Sequence, residues 1–85
     1  MLFAKYVNPN AGYDFDKQTV RKYLTIDFYY KVKEISMGGS HTNIYLEDFP
    51  DVIFNSVNFD FFEGEDLVPI NIYEDPRYNP YLWYN

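Results

Sequence analysis

The chain holds a single imidazole, His41, two residues after a glycine pair in "GGSH", and any histidine-based acid-base or nucleophilic chemistry would start there. Such catalysis usually needs a partner beside the histidine, within hydrogen-bond reach, and a third group that orients it. Ser36, Ser40 and Ser56 supply hydroxyls, yet no histidine-carboxylate frame accompanies them. A glycine-rich turn can also cradle phosphate, but that use needs the aligned amides of a helix N-terminus. Strand-like sequence flanks "GGSH" on both sides, so His41 is expected at a hairpin tip, hydrogen-bonding the turn.

Asp60, Glu63, Glu65 and Asp66 straddle Gly64 and invite a divalent cation. A calcium loop needs more oxygen ligands at a defined spacing, closed by a bidentate glutamate, and "DFFEGED" lacks that spacing. A solvated hairpin tip is the plainer reading. With no cysteine, neither a thiolate metal site nor a disulfide frame is available, which fits a reducing cytoplasm. The expectation is a protein with no enzyme activity, no metal and no cofactor.

Docking chemistry is better represented. Aromatic residues make up 22% of the chain, and each ring can bury about 150–250 Å². Tyr13, Phe15, Tyr29, Phe49 and Phe54 fall in or beside expected loops, next to Asp14, Asp16, Asp48 and Asp51. Rings supply buried area and carboxylates steer approach, so this mixture suits a protein partner with a basic surface. The charge is also uneven. Residues 1–34 carry six of the seven bases against four acids, whereas residues 35–85 carry nine acids against Arg77. A net charge of −6 argues against binding phosphate backbones, which requires clustered cations to release counterions.

The ending "EDPRYNPYLWYN" places Tyr78, Tyr81, Leu82, Trp83 and Tyr84 close together. Pro76 and Pro80 exclude a central strand but suit extended chain. Leaving these side chains loose would expose several hundred Å² of apolar surface, more than a soluble monomer usually tolerates. The segment is expected to dock, by preference on its own body, otherwise on a second copy or another protein. The candidate partner-binding set is therefore Tyr13, Phe15, Tyr29, Asp48, Phe49, Asp51, Phe54, Tyr81, Trp83 and Tyr84.

Elements must position these residues, and in 85 residues they form one small domain that hides only about 60% of its unfolded surface. No segment approaches a membrane span, and "MLFAKYV" is too short for a signal peptide, so a cytoplasmic protein is expected. "LFAKYV" alternates as a first strand and stops at Pro9 and Gly12. The run "YDFDKQTVRKYLT" is ambiguous. Asp16 is placed to cap one helical turn through Arg21, but Thr19 and Val20 are poor helix formers, and irregular structure is favoured.

"FYYKVKEISM" and "SHTNIYLE" read as a hairpin about Gly38-Gly39, with Met37 opposite Ser40 and Ile35 opposite Thr42. An unbroken register would turn Lys31 and Lys33 inward and Phe28, Tyr30 and Val32 out, so a β-bulge is expected near Lys33 or Glu34. A turn at Pro50-Asp51 precedes the strand "NSVNFDFF", with Val57, Phe59 and Phe61 on one face. "LVPINIY" returns with Val68, Ile70 and Ile72 inward, and Pro69 assigns it to an edge. The fold class is all-β: a small SH3-like barrel or a strongly bent antiparallel sheet of about five strands. Residues 1–75 form the body and residues 76–85 an aromatic C-terminal segment.

"LFAKYV" followed by "YLTIDFYYKVKEI" resembles the opening of small SH3-like barrel proteins of bacteriophages and mobile elements of Gram-positive bacteria. Those begin with a basic strand and continue with an LT-x-GK-x-Y-x-V segment, for which this chain has Asp27-Phe28 in place of Gly-Lys. "HTNIYLEDFPDVIFNSVNFDFF" is similar to a hairpin of the same group, and the two stretches span residues 2–62. The resemblance implies a small β body and a phage origin and brings no catalytic residues. Three functions follow as expectations. The first is an accessory protein that binds and occludes a host or element protein. The second is an assembly protein that forms homo-oligomers through an edge strand and the C-terminal segment. The third, against which the charge argues, is a single-strand nucleic-acid binder.

Overall fold

The computed structural model describes residues 1–83. Six strands form one antiparallel sheet: β1 (Leu2–Tyr6), β2 (Tyr29–Met37), β3 (Thr42–Leu46), β4 (Phe49–Asn55), β5 (Phe59–Glu63) and β6 (Val68–Ile70), in the order β4-β3-β2-β1-β5-β6. One helix, α1 (Asp14–Tyr23), lies between β1 and β2, and a 3-10 turn (Ser56–Asn58) joins β4 to β5. The fold is mostly β, as the alternation implies, and the sheet stays open, with β4 and β6 at its edges.

The sheet has to curl. β3, β2 and β1 lie between β4 and β5, so in a flat sheet these strands would stand about 19 Å apart, four spacings of about 4.8 Å. Four residue steps lead from Asn55 to Phe59 and span at most about 14 Å even fully extended, less when three residues coil into a 3-10 turn. Curling closes the gap, and the Phe54 and Phe59 rings meet edge-to-face at 6.1 Å. The concave side is the core. Leu2, Ala4 and Tyr6 of β1, Ile44 and Leu46 of β3, Phe54 of β4 and Phe59 and Phe61 of β5 are buried there with Ile72.

Sequence polarity set the faces correctly and one register incorrectly. Met37 pairs with Thr42 and Ile35 with Ile44, not with Ser40 and Thr42, and Gly38–His41 form a four-residue connection closed by Gly38 N–H donating to the His41 carbonyl at 3.0 Å. A shift of two residues leaves each side chain on its own face, so the polarity pattern cannot detect it. The expected bulge is present, the register changing between Val32 and Glu34. Pro69 sits in the edge strand β6, where no ladder donor is needed.

Other expectations need correction. The run after Gly12 is a helix of 10 residues. Asp14 and Asp16 in its first turn and Arg21 and Lys22 in its last suit the helix dipole. Burial does more: Val20 is fully enclosed and Leu24 nearly so, and each such side chain gains about 1.5–3 kcal/mol, against propensity losses of tenths. Gly12, at φ +87°, is required where the chain enters the helix, because a Cβ there would lie 2.8 Å from Asp16. Pro50-Asp51 is not a turn. The chain reverses at Glu47 and Asp48, and β4 was missed because it contains Pro50, which an edge strand accepts. Residues 56–58 coil, leaving Val57 exposed, and Val68 is exposed at the end of its edge strand. Asp27, where the resembled pattern has glycine, has φ +67°, a conformation glycine adopts freely and aspartate tolerates.

Candidate functional site

Three adjoining clefts, of about 420, 480 and 490 Å³, run from α1 along β4 to the 38–41 connection. Phe15 and Ile53 border the first two, Tyr13 and His41 the last two, and Tyr73 and Tyr81 close the far end. Tyr13 is 79% and Phe15 68% exposed. Both sit where the chain turns into α1, and Asp16 fixes that entry by accepting the Tyr13 N–H at 2.9 Å and the Asn55 side-chain amide at 3.2 Å. Asp51 lies on the cleft beside β4, opposite Lys22 of α1.

The cleft brings together Tyr13, Phe15, Asp51 and Tyr81 from the sequence-derived set. Others lie elsewhere. Phe54 is 1% exposed and Phe49 half-buried, and Phe54 meets the Tyr23, Phe49 and Phe59 rings edge-to-face, so both belong to the core and Phe54 meets the cleft only as its floor. They were expected on loops because β4 was not recognised; the register shift opposite Ile44–Leu46 lets Phe49 and Phe54, five residues apart, turn to the same side. Tyr29 stands on the convex face against Phe62, with Lys5 over its ring at 5.4 Å. Asp48 is exposed in the β3–β4 turn. Trp83 is 70% exposed, and Tyr84 lies outside the described residues. Sequence reasoning missed Ile53, Asn43 and Tyr73 as cleft residues. Ile53 alone carried a signal, as an apolar residue in the strand that was not identified.

The cations divide. Lys17, Arg21 and Lys22 lie on α1, whereas Lys5 of β1 and Lys31 of β2 alternate with core-facing residues and so point to the convex face. Among the acids around Gly64, Glu63 is taken up by the C-terminal segment. It accepts from Arg77 at 2.9 Å and from the Tyr78 hydroxyl at 3.1 Å. Arg77 also grips Asp75 at 2.6 Å, and the Trp83 indole N–H donates to the Pro76 carbonyl at 2.7 Å. Tyr78 packs against the core. Ser56 and Tyr73 join their hydroxyls, tying the start of this segment to the 3-10 turn.

These contacts titrate at both ends of the pH scale. Hydrogen bonds from Arg77 hold the Asp75 carboxyl below its ordinary value of 3.8. Burial, then the bond to Glu63, raises the Tyr78 phenol above its ordinary 10.0. A depressed acid contributes stability that is complete above its unfolded pKa and lost as pH falls through the folded one, below 3.8. A raised phenol contributes stability present below 10.0 and lost as pH rises through its higher folded value. The Trp83 indole proton resonance is therefore expected to stay constant from neutral pH to about 10 and then to shift as Tyr78 ionises beside Glu63. Tyr78→Phe should abolish the alkaline step. An unchanged step in that variant would show that another group controls the segment.

A curled, mostly β sheet with one helix and an open aromatic cleft defines a small β protein whose developed feature is a surface. No helix among the described residues is long and apolar enough to cross a membrane. The chain belongs to the family described as Bacteriophage T4 protein Y07B, whose family model matches residues 1–84. No curated protein and no solved structure matched it. The family agrees with the phage half of the sequence resemblance.

Proposed function

We propose that this phage protein is a non-catalytic accessory module, of the SH3-like kind its sequence resembles, that binds and occludes a protein of the host or the phage through the α1–β4 cleft. One observation carries the reading: Tyr13 and Phe15 are held exposed at 79% and 68%, on an entry to α1 that Asp16 fastens by a hydrogen bond and where Gly12 leaves room for the Asp16 side chain. Large rings presented on fixed backbone give contact area with little entropy to lose, which is what a docking anchor needs. Asp51 on the cleft and Asp14 between Tyr13 and Phe15 favour a basic partner surface. The separation of the helix cations from Lys5 and Lys31 weighs against a nucleic-acid track, which needs continuous positive charge.

The test is affinity capture from a lysate of infected host cells, with cross-linking and mass spectrometry. A partner retained by the parent protein and by Tyr29→Ala, but reduced at least tenfold by Tyr13→Ala combined with Phe15→Ala, is the expected result. Retention by the double variant would remove the cleft from consideration. An assembly role instead requires a stable oligomer of the purified chain, which light scattering reads directly.

A further inference from the structure

The clefts beside α1 touch β4 in an unusual way. One is lined by Asp51, Val52 and Ile53 and the next by Ile53, Phe54 and Asn55. Consecutive strand residues point to opposite faces of a sheet, so a cleft that meets all of them follows the strand's edge and not either face. β4 is an edge strand, and among the described residues its outer backbone has no backbone partner. The opposite wall is one stripe of α1, made by Phe15, Gln18, Thr19 and Lys22 at helical spacing. An unpaired strand edge beside an exposed helix stripe offers the backbone chemistry to accept one more strand.

We infer that the cleft receives an extended segment of the partner protein, added to β4 as a seventh strand, with apolar and basic residues together on one face. The inference rests on the protein-binding reading above and specifies its mode. Main-chain hydrogen bonds to an edge give affinity, and alternate side chains give specificity. Here the apolar positions of the incoming strand meet Phe15 and Ile53. Basic side chains on that same face meet Asp51, which shares the outward side of β4 with Ile53, while Glu47 and Asp48 are exposed in the turn that precedes the strand. Two features suit this edge to a chosen partner. Pro50, which has no N–H, and the register shift opposite Ile44–Leu46 both interrupt the edge, so it cannot serve as a long flat template for indiscriminate pairing.

The experiment uses the whole chain as bait in a peptide-display selection, followed by synthesis of the enriched peptides. Enriched sequences should carry apolar and basic residues two positions apart, on one face of the extended peptide. Binding should slow hydrogen exchange of amides within residues 51–55 and should weaken at least tenfold with Phe15→Ala. Methylating alternate backbone nitrogens of the peptide, with every side chain kept, should also cost at least tenfold on one alternation and little on the other, because only one set of N–H groups faces β4. A peptide that needs Phe15 yet tolerates methylation in both alternations, and leaves residues 51–55 exchanging as before, would overturn strand addition while keeping the cleft as a docking site. Peptides and captured partners that all ignore Phe15 would end both readings. A concentration-dependent dimer that protects the same amides without peptide would replace the partner segment by a second copy of this chain.

Discussion

Phe54→Ala is expected to lose about 3–5 kcal/mol of stability, the usual range for truncating a phenylalanine enclosed in a core. Phe54 is 1% exposed, and its ring meets Tyr23, Phe49 and Phe59 edge-to-face at 6.1–6.4 Å. It therefore links helix, edge strand and β5 at the point where the sheet curls. A chain of this size has a total stability of only about 4–13 kcal/mol. The variant should be largely unfolded at 37 °C or melt at least about 12 °C below the parent. Urea denaturation followed by circular dichroism measures the difference. Tyr13→Ala, at an exposed position, provides the control and should stay within about 0.5 kcal/mol of the parent. A loss below about 1 kcal/mol for Phe54→Ala would mean that the ring cluster is not what closes the body.

The second large effect is polar. Asn58 is completely buried, and its side-chain amide donates to the carbonyls of Asn8 at 2.7 Å and Ala11 at 3.0 Å. Its own carbonyl accepts from Val7 and Asn8 at 3.0 and 3.2 Å. One residue of the 3-10 turn thus fastens the loop that carries Tyr13 into α1. Among the described residues its Oδ1 has no partner, so the two donated bonds carry its side chain's contribution. Asn58→Asp preserves shape, removes both donors, and directs a buried negative charge at two carbonyl oxygens. The expected loss at pH 7 is about 3–5 kcal/mol. Burial raises the pKa of the introduced carboxyl in the folded state, so stability is greatest at low pH and is lost as pH rises through that value. The variant should regain stability between pH 7 and 5, while the parent should not. If it is as stable as the parent at pH 7, the loop is held by other contacts.

The cleft itself was half legible. Tyr13, Phe15 and Asp51 stood out as residue types, because large rings beside carboxylates attract attention wherever they fall. Their assembly into one channel depended on α1 forming, and the sequence favoured the opposite. Thr19 and Val20 reduce helix propensity locally, and the compensating enclosure of Val20 exists only once β4 and the ring cluster are in place. Ile53 and Tyr73 approach the channel from strands and turns far along the chain, so no local spacing announced them.

Local rules were enough for the faces of β1, β2, β3 and β5, the bulge after Val32 and the edge position of Pro69, because side-chain period and the missing proline N–H act within a few residues. Tertiary structure alone decided the helix, the two-residue offset of the β2–β3 register, the strand through Pro50 and the inward turn of Phe49 and Phe54. Each of those depends on burial against residues remote in the chain, and the two-residue offset also leaves every side chain on its face, so a period-of-two pattern cannot detect it.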